Sequence, residues 1–107
     1  MNSNTIDTIE HLLSKYTILV FIKGSKENPA CGFSNTVVQI LNRLGVEYGT
    51  YDVLENNTIR EGIKRYSNWP TIPQLYIKGE FIGGCDIILN MYKTKALQSI
   101  IERLINS

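Results

Sequence analysis

The chain has 107 residues, 43% hydrophobic and 20% charged, which is ordinary globular usage and enough length to bury one core without disulfide staples. Eleven basic and ten acidic side chains leave a formal net charge of +1, so charge gives no reason to expect nucleic acid or an anionic membrane as partner. Two cysteines are too few for the framework of a small secreted domain and suit a reducing compartment, and no apolar run approaches the length of a membrane span.

Met1 to Thr5 has neither the basic-then-apolar pattern of a signal peptide nor the Arg-rich character of a transit peptide. The expected setting is a bacterial cytoplasm, or an organelle matrix if a leader has been removed. No linker, repeat or low-complexity stretch interrupts the chain, so one domain over residues 1–107 is expected.

Ile6, Ile9, Leu12, Leu13 and Tyr16 recur at helical spacing and predict an amphipathic helix over residues 5–15. Thr17 to Lys23 is a nearly continuous apolar run, as in a strand buried on both faces. Gly24 to Ala30 is polar, carries Pro29 and reads as a loop. From Gly32 the pattern turns helical, with Phe33, Val37, Leu41 and Leu44 on one face and Gly45 as the stop. Val46 to Val53 reads as a second strand. Ile59, Ile63 and Tyr66 predict a helix over residues 57–66. Pro70 and Pro73 bracket a turn. Gln74 to Ile77 and Glu80 to Ile82 read as a hairpin closed at Lys78-Gly79, and Gly83-Gly84 breaks the strand. Ile87, Ile88, Met91 and Tyr92 start a helix that Leu97, Ile100, Ile101 and Leu104 continue or follow. Helices alternating with the first two strands imply a parallel β-α-β unit, and the hairpin adds an antiparallel pair. The expected fold is α/β, a four-stranded mixed sheet with helices on both faces.

Cys31 stands where a loop meets the start of a helix. Unpaired N–H groups and the helix dipole favour an anion there, so the thiol ionises readily, and the thiolate is both nucleophile and metal ligand. Ser34 occupies the place that a second cysteine takes in a Cys-x-x-Cys motif, which closes the short dithiol cycle; a first-turn residue bonding a backbone N–H is the plainer reading of this serine. Gly83-Gly84 lets backbone approach a ligand, and Cys85 and Asp86 open another helix. His11 lies away from all these features.

Four blocks occur in order: Lys23-Gly24, Pro29-Ala30-Cys31-Gly32-Phe33-Ser34, Trp69-Pro70-Thr71-Ile72-Pro73-Gln74-Leu75 and Gly83-Gly84-Cys85-Asp86. Together they resemble the signature blocks of the monothiol glutaredoxins, a thioredoxin-like family, and the long Gly24–Pro29 loop resembles that class too. The resemblance implies one glutathione per chain. Lys23 and Arg60 would hold its glycine carboxylate. Thr71, Ile72 and Pro73, with a cis Ile72–Pro73 bond, would pair backbone with the tripeptide. Backbone N–H groups at Gly84, Cys85 and Asp86 would take the γ-glutamyl carboxylate, and the Asp86 carboxylate its amine; Asp86 also suits a simple helix cap. Gly32, Phe33, Ser34 and Trp69 would support the site, though Phe33 and Trp69 equally suit core packing.

A [2Fe–2S] cluster takes four thiolate-type ligands. Cys31 and one glutathione from each of two chains make that set, which implies a glutathione-bridged homodimer carrying a labile cluster for assembly, transfer and iron homeostasis. BolA-like proteins and apo iron–sulfur proteins are the partners the resemblance implies. Cys31 with Cys85 from two chains is another set of four, and zinc accepts such thiolates as well. Two other readings stand beside it. One is a glutathione-dependent thiol–disulfide oxidoreductase working through Cys31 alone, with Cys85 as a possible resolving thiol. The other is a pure interaction module.

Overall fold

The computed structural model describes residues 1–106. In chain order it comprises α1 (Ser3–Lys15), β1 (Ile18–Ile22), α2 (Gly32–Leu44), β2 (Gly49–Asp52), a short 3-10 turn (Val53–Glu55), α3 (Asn57–Ser67), β3 (Gln74–Ile77), β4 (Glu80–Gly83), α4 (Cys85–Lys93) and α5 (Ala96–Ile105). The strands form one sheet in the order β2-β1-β3-β4. β1 and β2 are parallel, while β3 is antiparallel to both β1 and β4. The expected four-stranded mixed sheet is therefore present.

All five residues of β1 are buried, as its unbroken apolar run requires of a central strand covered on both faces. Alternation sorts them. Ile18, Val20 and Ile22 face a core with Val37, Val38 and Leu41 of α2, Ile88 of α4 and Leu97 and Ile101 of α5. Leu19 and Phe21 face the opposite core, with Ile9 and Leu13 of α1 and Ile59 and Ile63 of α3. A one-residue slip of β1 would exchange its two faces, so this register is strongly specified.

Element ends differ from the sequence expectations for local reasons. α1 begins at Ser3, before its apolar period, because the Asn2 side chain caps it by accepting from the Thr5 N–H at 2.9 Å and the Thr5 hydroxyl at 3.0 Å. β2 is shorter than the expected Val46 to Val53. Its ladder with β1 runs only from Gly49 opposite Leu19 to Asp52 opposite Ile22. Asp52 then accepts from the Leu54 N–H at 2.9 Å and turns the chain. Gly83 does not break β4. A register shift between Leu75 and Tyr76 lets it pair with Leu75 as the last residue of the strand, and Gly84 leaves the sheet. The last helical stretch is two helices, parted where Lys95 takes a left-handed φ of 66°. Lys78 and Gly79, both with positive φ, close the hairpin as the sequence indicates.

Candidate functional site

Strand direction brings the sequence blocks together. β1 ends where Lys23 begins the loop to α2. Antiparallel β3 starts at that same end, Gln74 facing Phe21, so the segment 69–73 arrives beside Lys23. β4 returns to the same end, and Gly84 passes into α4. The result is a cleft of about 370 Å³, within the usual range for small-ligand sites. Larger but more open grooves border Tyr16 and contain no thiol.

Lys23, Thr71, Ile72 and Pro73 line the cleft on one side, and Gly84, Cys85 and Asp86 on another. Phe33 and Trp69 line it as well. Phe33 is 64% exposed, so it faces solvent beside Cys31 rather than the core. Trp69 is half-buried, 5.8 Å from the Phe81 ring between centroids, and so both packs and lines the cleft. A Cβ at Gly84 would fall 2.8 Å from Trp69 Nε1, so glycine there lets the indole close against the backbone. The Ile72–Pro73 bond is cis.

Cys31 is the N-cap of α2, partly exposed, its sulfur accepting from the Ser34 N–H at 3.4 Å. Its Sγ lies 3.3 Å from Ser34 Oγ. Ser34 is fully buried and accepts from the Lys23 N–H at 3.1 Å and from the Cys31 thiol; when the thiol ionises, the hydroxyl proton turns to the sulfur. Partial burial pushes the Cys31 thiol up. The Ser34 hydroxyl, the Ser34 N–H, the Lys23 charge and the Phe33 N–H together outweigh it and hold the thiol below its ordinary value. Cys85 moves the other way: burial, then Asp86, then the charge of Cys31 push its thiol up. Both cysteines are free.

The loop before Cys31 is tightly fastened. Gly24 has φ +92°, and a Cβ there would fall 2.5 Å from the Ala30 nitrogen, so only glycine allows the Ala30 N–H to reach the Lys23 carbonyl at 2.8 Å. The Gly24 N–H donates to Asp52 Oδ1 at 2.9 Å. Lys26 Nζ donates to the Tyr48 carbonyl at 2.8 Å and lies 3.9 Å from the centroid of that ring.

At α4 the first helical bond runs from the Ile88 N–H to the Gly84 carbonyl at 3.0 Å. The N–H groups of Cys85, Asp86 and Ile87 thus precede the helical ladder, at the positive end of its dipole. Gly84 provides no side-chain cap.

Neither Cys31 nor Arg60 is part of the cleft lining itself; Lys64, one helical turn beyond Arg60 on α3, joins Lys23 there. Lys64 pairs with Glu61 at 3.2 Å, a half-exposed pair worth little and easily exchanged. Arg60 keeps a buried Nε without a hydrogen-bond partner. Spacing of four residues on a helix puts Lys64 beside Arg60, and that was the signal available in the sequence.

Residues 18–82 match the Glutaredoxin family model. The chain is also 53% identical over 102 residues, 95% of both chains, to a Synechocystis protein called an uncharacterized monothiol glutaredoxin, ycf64-like. The chain belongs to the monothiol glutaredoxins. A second monothiol glutaredoxin, ycf64 of Porphyra purpurea, is 52% identical over 105 residues, 98% of each chain. Among solved structures, the reduced apo form of poplar GrxS14 superposes with a TM-score of 0.85 at 46% identity, covering 95% of this chain and 94% of that one. As in the family, this glutaredoxin has a thioredoxin-like fold and a single cysteine in its Cys31-Gly32-Phe33-Ser34 block.

Proposed function

We propose that this monothiol glutaredoxin, a single domain, binds glutathione in the cleft and with it holds a labile [2Fe–2S] cluster between two chains for transfer to apo-proteins. The observation that carries the reading is Cys31 itself: an acidified, partly exposed thiol beside a peptide-sized cleft, with a buried hydroxyl and not a second thiol 3.3 Å away. Lys23, Lys64 and Arg60, the last of them one helical turn from Lys64, offer cations for the glycine carboxylate. Ile72 makes no backbone hydrogen bond among the described residues, so it is available to pair with an extended peptide. The N–H groups opening α4 suit the γ-glutamyl carboxylate, and Asp86 suits its amine.

A [2Fe–2S] cargo needs four thiolate-type ligands. One chain supplies Cys31 and, through glutathione, a second sulfur, so a homodimer with two glutathiones completes the set. Exposed Phe33 beside each Cys31 gives the two chains apolar area to bury there. Half the ligands are then a diffusible thiol, which suits delivery to apo iron–sulfur proteins, alone or with a BolA-like partner.

The acidified thiol also favours a second reading, a thiol–disulfide oxidoreductase. The Cys31 thiolate would attack the glutathione sulfur of a glutathionylated protein, breaking the disulfide and releasing the protein thiolate to take a proton from solvent. A second glutathione thiolate would then free Cys31 and leave as glutathione disulfide.

Anaerobic reconstitution with iron and sulfide, with and without glutathione, separates the readings by visible absorption and mass in solution. A coloured dimer only with glutathione is expected. Colour without glutathione would move the ligands to Cys31 plus Cys85. No cluster in either sample would leave the oxidoreductase.

A further inference from the structure

We infer that Gln74 is a positioning residue for the cleft: its buried carboxamide clamps the loop 69–73 in the shape that receives the tripeptide, an inference that rests on glutathione binding as proposed above. Gln74 is fully buried, an environment in which an unpartnered polar group is costly. Its Nε2 donates to the Trp69 carbonyl at 3.0 Å and the Thr71 carbonyl at 3.2 Å, and its Oε1 accepts from the Tyr76 hydroxyl at 3.0 Å. Carbonyls only accept, so the two of them fix which end of the amide faces the loop.

The clamp decides what the loop presents to the cleft. Only the Ile72–Pro73 bond is cis among the described residues, so the Thr71–Ile72 peptide is trans. In a trans peptide the C=O and the following N–H point in opposite directions. Pinning the Thr71 carbonyl inward on Gln74 therefore turns the Ile72 N–H away from the core, on the side where Thr71 and Ile72 line the cleft. Pinning the Trp69 carbonyl fixes the other end, where the indole closes over Gly84. Without the amide, both carbonyls lose their donor, and the loop must be ordered at the moment of binding, which weakens affinity.

Trp69 is the only tryptophan, so its fluorescence reports this loop directly. The experiment compares wild type with Gln74→Leu by urea unfolding, acrylamide quenching of Trp69 and calorimetric titration with glutathione. Gln74→Leu is expected to unfold cooperatively, to expose Trp69 to acrylamide, and to bind glutathione about tenfold more weakly. The pH midpoint of Cys31 alkylation should not move, since Ser34 and Lys23 set it. A folded Gln74→Leu protein with affinity within about twofold of wild type overturns the inference. If Gln74→Leu does not fold, Gln74→Asn, too short by one methylene to span both carbonyls, takes its place: weaker binding with greater quenching supports the clamp, and unchanged binding overturns it. A wild type that binds no glutathione defeats the proposed function instead, and the quenching comparison alone then decides the clamp.

Discussion

Ser34 accepts from the Lys23 N–H and from the Cys31 thiol, and its own proton turns to the sulfur when that thiol ionises. Replacing the hydroxyl in Ser34→Ala removes the donor that lowers the thiol most and orphans a backbone N–H, at about 1–3 kcal/mol of stability for a buried group. The expected outcome is a Cys31 alkylation midpoint at higher pH, followed with iodoacetamide and peptide mapping. In the unaltered protein the two cysteines shift in opposite directions, Cys31 below and Cys85 above the ordinary thiol value. As pH rises, Cys31 should therefore label first and Cys85 only in more alkaline solution. Equal midpoints would contradict the environments described. That Cys31 opens a helix was legible from the change of period at Gly32. That Ser34 is a buried donor was not, because its partner Lys23 lies eleven positions away.

Among the elements, the loop from Gly24 to Pro29 was legible as a loop from its polarity and Pro29, but nothing local showed that it is fastened. Asp52, at the end of β2, accepts from Gly24 and Leu54 with the same oxygen, each at 2.9 Å. Asp52→Ala should release both N–H groups and destabilise the protein by about 1–3 kcal/mol in urea. It should also speed amide exchange across residues 24–30, which carry the chain from Lys23 to Cys31. Unchanged exchange there would mean that Lys26 on Tyr48 and the Ala30–Lys23 bond hold the loop without Asp52. The misjudged length of β2 has the same origin. Val46 to Val53 read as eight residues of strand, but the partner strand has only five, and a ladder cannot outrun its partner.

Across the whole molecule, the cleft draws its cations from distant elements: Lys23 follows β1, and Lys64 stands on α3 one helical turn from Arg60, the carboxylate partner expected from the sequence. Lys64→Ala is expected to weaken glutathione binding by about 1.5–3 kcal/mol in calorimetry, the range for a hydrogen bond to a charged group, and by more than Arg60→Ala does. A larger loss from Arg60→Ala would return the role to Arg60.

The amino-acid sequence by itself determined the order of helices and strands, the double burial of β1, the hairpin turn at Lys78-Gly79, and the single thiol at a helix start. Each is written in spacings of two to four residues, because alternation, helical period and capping act over that range. Only the tertiary structure decided that the four blocks meet at one end of the sheet, that Gln74 reaches back to the loop 69–73 from inside the core, and that Lys64 of α3 joins Lys23 at the cleft. These depend on strand direction and register, which arise when distant segments bury a shared apolar face, and no local pattern specifies them.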